Sequence, residues 1–277
     1  MSGGFLEQMA RASTERLRAA QRVRSATLLE GAVRALPRPP RLHLQSDGFD
    51  LLAELKLRSP AQGQLRAGAD DIGARVAAYA RGGAAAVSVL TEPERFDGAL
   101  AHLESAVEVL TPLAVPAMRK DFLVDPYQVL EARLAGAGGV LVIVRMLMRA
   151  QIEALLECAR EQGMFVLLEG FDEADLELMD ELIQAAAPGP QLLAGLNCRD
   201  LTTLKVVPQR LLQLAPRLPQ RVPRVAESGV TTSADARAVA SAHYQLALVG
   251  SALMQGADPG ALCAELLAAG RQAARER

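Results

Sequence analysis

Eight short apolar segments alternate with helical patterns along the chain. This alternation predicts an α/β protein, a single (β/α)8 TIM barrel with an N-terminal helical extension. Most of the segments are apolar throughout, as are parallel strands buried on both faces. Eight strand–helix units in about 230 residues also match the usual size of such a barrel. The alternative fold is a doubly wound open sheet, which binds its ligand at one switch point. Polar residues follow many of the segments, and this distribution favours the barrel.

The first part of the chain is predicted to be helical. Residues 1 to about 36 carry apolar side chains at loosely helical spacing, and Pro37 ends the pattern because proline cannot continue a helix. A linker follows up to Asp50. We therefore expect residues 1–48 to form a helical extension and linker within the same domain as the catalytic barrel of residues 49–277.

The predicted strands are apolar runs that end in turn-forming or charged residues. They cover residues 51–57, 84–90, 113–118, 140–144, 164–168, 192–196, 221–226 and 246–249. Acidic residues or proline suit the first turn of the intervening helices, as at Asp70 with Asp71, Pro126 and Asp172. These helices cover residues 70–79, 96–110, 126–135, 149–163, 172–187, 208–215, 231–240 and 259 to the C-terminus.

The first strand carries two opposite charges. Glu54 and Lys56 interrupt its apolar residues, and alternation along a strand places both side chains on one face. Charges on an otherwise apolar strand are costly unless that face lines a polar site. The strand therefore delivers a carboxylate and an ammonium group to a site at its end.

Lysine is rare in this chain. Only three of the 30 basic residues are lysine, so arginine is the usual cation for surfaces and ion pairs. A lysine against this background indicates a position that needs a compact ammonium group or one that can lose its proton. We assign such a function to Lys56 and Lys120, which lie beside strand-like runs, and interpret Lys205, in a polar loop, as a surface residue.

Composition excludes several classes of function. A net charge of −2 and an aromatic content of 3 %, without tryptophan, argue against nucleic-acid binding. The three cysteines are scattered, so the sequence predicts neither a disulfide framework nor a metal site. No apolar run reaches the roughly 18 residues of a membrane-spanning helix, and the charged N-terminus is unlike a signal peptide. We expect a cytoplasmic protein without a membrane partner.

Polar residues at the strand ends are the candidate catalytic groups, because in a barrel the carboxyl ends of all strands meet at one face. They are Glu54, Lys56, Lys120, Glu169, Asn197, Glu227 and Ser228. Lysine and glutamate suit proton transfer, since burial and neighbouring charges shift their pKa values. We expect a dry wall and the neighbouring Lys56 to lower the pKa of Lys120 toward neutrality.

Glycine and serine after the seventh and eighth strands predict an anion site. Gly229, Gly250 and Ser251 occupy the loops that bind phosphate in many barrels, and Ser59 in the first loop adds a hydroxyl. Glycine lets backbone N–H groups approach the phosphate closely. Each glycine alone is consistent with an ordinary turn, so the prediction rests on their joint position.

Seven blocks of sequence resemble the indole-3-glycerol-phosphate synthase family. They are Ala-Glu-x-Lys-x-x-Ser-Pro at 53–60, Ser-Val-Leu-Thr-Glu at 88–92, Lys-Asp-Phe at 120–122, the strand-five glutamate at 169, Gly-x-Asn-x-Arg-x-Leu at 195–201, Ala-Glu-Ser-Gly at 226–229 and Val-Gly-x-x-Leu-Met at 249–254. The blocks keep the family's order over roughly residues 50 to 255, although each alone is weak. The chain departs from the family at Ala61, Gly170, Phe171 and Cys198, and we expect Gly170 to loosen the loop beside Glu169.

The resemblance implies a carbon–carbon lyase of tryptophan biosynthesis that needs no cofactor. Its substrate would be 1-(2-carboxyphenylamino)-1-deoxyribulose 5-phosphate, with Lys120 as the acid, Lys56 near the substrate carboxylate or acting as a later acid, and Glu169 or Glu54 as the base. Asn197, Glu227 and Ser228 would hold hydroxyl groups and the lysines, and Arg199 would contact the anthranilate part or brace its loop.

Other readings stay open at this stage. The chain could be another phosphate-sugar isomerase or aldolase, or a non-catalytic barrel. A monomer, a weak homo-oligomer and association with other enzymes of the pathway are all compatible with the resemblance.

Overall fold

The computed structural model describes residues 4–45, 48–60, 63–65, 72–189 and 191–277, and its centre is a closed barrel of eight parallel strands. Each strand pairs with the next in sequence, and the eighth pairs with the first. The predicted (β/α)8 fold is confirmed. The strands are β1 (Asp50–Leu55), β2 (Ala86–Leu90), β3 (Ala117–Lys120), β4 (Gly139–Ile143), β5 (Phe165–Gly170), β6 (Leu192–Asn197), β7 (Arg224–Glu227) and β8 (Leu246–Val249).

Helices surround the barrel and precede it. They are α1 (Phe5–Val23), α2 (Ala26–Arg34), α3 (Ile72–Arg81), α4 (Pro93–Phe96), α5 (Leu100–Leu110), α6 (Pro126–Leu134), α7 (Arg149–Gln162), α8 (Glu173–Ala185), α9 (Gln209–Leu214), α10 (Ser233–Ser241), α11 (Ser251–Gln255) and α12 (Pro259–Arg275). Short 3-10 turns lie at Thr111–Leu113, Val144–Met146 and Ala215–Arg217. None of the helices in these described ranges is long and apolar enough to cross a membrane.

The N-terminal region forms two helices and not the single helix predicted to about residue 36. Its first helix ends at Val23, and α2 begins at Ala26. Between them Ser25 adopts an extended conformation, and its hydroxyl accepts a hydrogen bond from the Leu28 N–H at 3.4 Å. Serine at this position competes with the helix by capping a new one.

Some predicted boundaries are displaced. The third strand begins at Ala117, because the preceding apolar residues form the Thr111–Leu113 turn and Ala114 is left-handed with φ 54°. In the fifth strand the ladder continues to Gly170, which pairs with Leu196, so Glu169 lies within the strand. Apolar character predicted these strands but not their ends. The predicted helix start at Asp70 and Asp71 lies outside the described residues.

The inward-facing positions change from apolar to charged near the carboxyl ends of the strands. Leu52, Met118, Leu167 and Val225 are buried together inside the barrel. Two residues further along the same strands, at the next inward position, stand Glu54, Lys120, Glu169 and Glu227. The apolar layer therefore forms the floor on which the charged groups rest.

Asp121 joins α1 to the barrel. Its buried carboxylate accepts hydrogen bonds from Arg16 of α1 (Nη2, 2.7 Å) and from the Phe122 N–H (2.8 Å) through one oxygen. The other oxygen accepts from Thr91 (Oγ1, 2.8 Å) and Arg119 (Nη2, 3.1 Å). One carboxylate thus fixes the end of β3, the end of β2 and the N-terminal helix.

We expect Asp121→Ala to lower the free energy of unfolding by about 3 kcal/mol, because the buried Arg119 loses a carboxylate partner. Arg16→Ala removes only the contact with α1 and should cost clearly less. Urea unfolding of both variants measures the difference. Equal costs would mean that the contact with α1 accounts for the whole effect.

Candidate active site

A cavity of about 890 Å³ opens at the carboxyl ends of the barrel strands. All twelve residues proposed from the sequence line it: Glu54, Lys56, Ser59, Lys120, Glu169, Asn197, Arg199, Glu227, Ser228, Gly229, Gly250 and Ser251. The barrel therefore brings together residues that are almost 200 positions apart. Their individual roles remain predictions.

Lys120 lies between two carboxylates. Its Nζ donates to Glu169 Oε2 at 2.9 Å and to Glu227 Oε2 at 3.1 Å, and both glutamates are buried. Burial alone would lower the pKa of Lys120, but the carboxylates of Glu169, Glu227 and Glu54 outweigh it and raise the pKa above its usual value. The expectation of a lysine near neutrality is wrong, because the sequence did not show two carboxylates facing one ammonium group.

The pKa of Glu227 is also raised, which for a carboxyl group favours the neutral form. Burial and the neighbouring Glu169 raise its pKa well above the usual range for a glutamate, although Lys120 acts against them. Its Oε1 is buried without a hydrogen-bond partner among the described residues, and a Cβ at Gly195 would lie only 2.3 Å from that oxygen. Glycine on β6 therefore makes room for this carboxyl group.

Glu54 and Lys56 form a second pair. Lys56 Nζ lies 2.6 Å from Glu54 Oε2. Burial would raise the pKa of Glu54, but the charges of Lys56 and Lys120 lower it further than burial raises it. A Cβ at Gly250 would lie 2.2 Å from Glu54 Oε2 and 2.9 Å from Lys56 Nζ, so glycine on the loop after β8 accommodates this pair.

Asn197 links the ends of β6 and β7. Its Oδ1 accepts from the Ser228 hydroxyl and from the Arg199 N–H, each at 3.0 Å. Arg199 donates from Nη1 to Leu204 O at 2.7 Å and so braces its own loop, one of the two roles expected for it. Ser228 is left-handed with φ 65°, a conformation that costs a non-glycine residue energy and that recurs at functional sites.

The predicted anion-binding residues lie on three loops. Gly229 is left-handed with φ 78°, which favours glycine at this turn. Ser251 begins α11, directly after Gly250. Ser59 is buried at the end of a short strand that pairs antiparallel with Gly63–Gln64. All of these residues face the one cavity.

Aromatic side chains form the apolar side of the cavity. Phe5 of α1 packs edge-on against Phe122 with ring centroids 5.9 Å apart, and Phe96 lies 6.2 Å from the same ring. Leu6 of α1 also lines the cavity. Sequence reasoning did not identify Phe5 and Leu6 as site residues, because a helical pattern shows which face is apolar but not what that face covers.

Phe171 lines the cavity, and Gly170 before it packs against α8. Gly170 is buried in β5, where a Cβ would lie 3.0 Å from that of Asp175 on α8. The Phe171 N–H donates to Asp175 Oδ2 at 2.7 Å, and the guanidinium of Arg145 lies 5.0 Å from the Phe171 ring centroid. Arg145 also pairs with Asp172 and Asp175. Gly170 therefore lies in the strand and not in a loop, and glycine here permits close helix packing, while the expected loosening beside Glu169 stays a prediction.

Lys205 is the lysine that sequence reasoning assigned to the surface. Its side chain is exposed, but it lies at the edge of the same cavity. Its rarity as a lysine was the available signal. Among the residues described, no three His, Cys, Asp or Glu side chains are grouped to hold a metal ion.

Comparison with known proteins identifies the family. The family model described as indole-3-glycerol phosphate synthase matches residues 7–266. The chain belongs to the indole-3-glycerol phosphate synthase family. A protein of that name from Parafrankia sp. (strain EAN1pec) is 42 % identical over 234 residues, which cover 84 % of this chain and 83 % of that protein. Indole-3-glycerol phosphate synthase 1 from Streptomyces coelicolor is 41 % identical over 231 residues, covering 83 % and 82 %.

Solved structures share the barrel. Thiamine phosphate pyrophosphorylase from Pyrococcus furiosus has a TM-score of 0.59 at 16 % identity, covering 81 % of this chain and 96 % of that one. Tryptophan synthase from M. tuberculosis has a TM-score of 0.57 at 17 % identity, covering 81 % and 93 %. At such identities the likeness concerns the fold alone. Membership of the indole-3-glycerol phosphate synthase family makes the chain a decarboxylating carbon–carbon lyase of tryptophan biosynthesis.

We expect Glu227→Gln to be increasingly more stable than the wild type as pH rises above about 4.5. The unfolded glutamate ionises there, while the folded one, with its raised pKa, keeps its proton, so the wild type loses stability until the folded pKa is reached. The difference should grow by up to about 1.4 kcal/mol per pH unit. Urea unfolding at pH 4.5, 6 and 7.5 measures it, with the exposed Glu104→Gln as a control for charge. A difference independent of pH would show that Glu227 is ionised in the folded protein.

Proposed function

We propose that this cavity closes the indole ring of 1-(2-carboxyphenylamino)-1-deoxyribulose 5-phosphate, releasing CO₂ and water, in the cytoplasm. The observation that carries the proposal is the Lys120 ammonium group held between Glu169 and Glu227 at the polar floor of the cavity. An ammonium group beside two carboxyl groups supports the proposal, because the reaction requires several proton transfers.

The two sides of the cavity match the two ends of this substrate. The aromatic ring fits the apolar side formed by Phe96, Phe122 and Phe5. The phosphate fits the opposite loops, at Ser59, Gly229, Gly250 and Ser251. Because Phe5 and Leu6 come from α1, we further propose that residues 1–48 act as part of one domain with the barrel.

Lys120 is the proposed acid for ring closure. As the ring carbon that bears the carboxylate attacks the ketone carbon, negative charge develops on the ketone oxygen. The raised pKa keeps Lys120 protonated in the free protein, so the ammonium form meets the substrate. It stabilises the oxygen and transfers a proton to it, giving a hydroxyl group.

Lys56 is proposed to orient the substrate carboxylate. Loss of CO₂ returns the electrons of the broken carbon–carbon bond to the ring and restores its aromaticity. Glu54 holds Lys56 at 2.6 Å and limits its position to the floor beside β8. Lys56 is also proposed to protonate the hydroxyl group that leaves in the final step.

Glu169 is the proposed base for dehydration. The hydroxyl group leaves as water, pushed by the ring nitrogen, and a carboxylate then removes a proton from the neighbouring methylene carbon to complete the indole. Glu54 is the alternative base. Asn197 and Ser228, joined by their hydrogen bond, are proposed to hold the hydroxyl groups of the glycerol chain.

A Schiff-base aldolase is a poorer fit. Attack on a carbonyl needs a neutral amine, whereas the carboxylates around Lys120 favour its charged form. Borohydride treatment in the presence of substrate should therefore trap no covalent adduct.

The direct test is conversion of the carboxyphenylamino substrate, followed by the fluorescence of the indole product without added metal. We expect product and CO₂ in equal amounts. A purified, folded protein that binds the substrate but forms no indole would overturn the proposed function in favour of a non-catalytic barrel.

We expect Lys120→Arg to lose about 10² to 10⁴ in kcat while the protein still folds. A guanidinium group can still pair with Glu169 and Glu227, but it does not give up its proton. Steady-state kinetics and the thermal midpoint, measured on the same preparation, test this. Lys56→Arg is the variant for comparison, because Lys56 pairs with one glutamate whereas Lys120 pairs with two. Near-native turnover of the Lys120 variant would end its assignment as the acid.

A further inference from the structure

All three lysines of the chain line the same cavity. Lys56 and Lys120 lie at its floor, and Lys205 lies at its edge on the loop after β6. The other 27 basic residues are arginine, and most of them lie elsewhere on the molecule. The feature that marks the two floor lysines therefore marks Lys205 as well.

The backbone of this loop is fixed by hydrogen bonds. The Asp200 N–H donates to Lys205 O at 2.8 Å, and the Val207 N–H donates to Cys198 O at 3.0 Å. Arg199 pairs with Val206 as an isolated antiparallel bridge. These contacts hold the backbone of Lys205 at the cavity edge and leave its side chain exposed.

The loop packs directly against the predicted phosphate loop. A Cβ placed on Gly229 would lie 3.3 Å from Val206 Cγ1 and 3.5 Å from Pro208 Cβ. Lys205 immediately precedes Val206 in the chain. Lys205 is therefore one residue away in sequence from the contact with Gly229.

The other cations of the cavity are already engaged. Lys56 pairs with Glu54, Lys120 pairs with two glutamates, and Arg199 donates to a backbone carbonyl. Over the described parts of the chain, Lys205 has no carboxylate within the 4.0 Å of an ion pair. A dianionic phosphate entering the cavity thus meets one lysine whose charge is not neutralised.

We propose that Lys205 binds the phosphate group of the substrate at the mouth of the cavity. The proposal rests on the function proposed above and extends its phosphate site by one residue. Among the described residues, Lys205 forms no hydrogen bond or ion pair with the charged groups at the floor, so its charge acts on substrate affinity and encounter and not on the chemical steps.

The test compares Lys205→Glu with Arg221→Glu, a matched charge reversal at an exposed residue outside the cavity. Titration calorimetry with inorganic phosphate should give a Kd about tenfold higher for the Lys205 variant and unchanged for the Arg221 variant. Lys205→Arg should keep most of the affinity. In steady-state assays the Lys205→Glu variant should raise KM more than it lowers kcat, and the effect should shrink at high salt because salt screens exposed charges.

Wild-type phosphate affinity and KM in Lys205→Glu would overturn the proposal. Weaker binding of 2-aminobenzoate with unchanged phosphate binding would also overturn it, by assigning the lysine to the other end of the substrate. The phosphate titration needs no turnover. A wild-type protein that forms no indole would therefore remove the proposed function while the titration still decides the role of Lys205.

Discussion

The contact of Lys120 with Glu169 and Glu227 is the interaction on which the rest of the site depends. Three ionisable groups are buried at the top of an apolar barrel, and each would be costly there without the others. The strands β3, β5 and β7 bring them together only because the barrel is closed and in register. The fold supplies the geometry, and the charges restrict which residues the fold can accept at these positions.

The sequence predicts the barrel and the floor of its site for a physical reason. Alternation along a buried strand places Glu54 above Leu52 and Lys120 above Met118, so a charge after an apolar run must face a polar site. Such local patterns do not predict contacts between distant segments of the chain. The raised pKa of Lys120, the packing of Phe5 against Phe122 and the position of Lys205 each depend on a neighbour from another loop or helix.

The N-terminal helix is both a wall and a brace. Phe5 and Leu6 line the cavity, while Arg16 of the same helix binds Asp121, the residue that follows Lys120. A movement of α1 would therefore displace Arg16 from Asp121, which is next to the proposed acid, Lys120. The hydrogen bonds of Asp121 to α1 and to the strand ends give this buried carboxylate a structural role, so its position beside the site does not require a part in the chemistry.

Two glycines decide how freely the floor can change during evolution. Gly250 and Gly195 leave the space that the carboxyl groups of Glu54 and Glu227 occupy. A methyl group at either position requires the opposing glutamate to move or to become shorter, so a substitution of the glycine also changes the position of the carboxyl group. The aromatic wall carries no such linkage between backbone and charge. Substitutions in the aromatic wall are therefore a more accessible route to new substrates than substitutions in the floor, where a change at one residue requires a change at its neighbour.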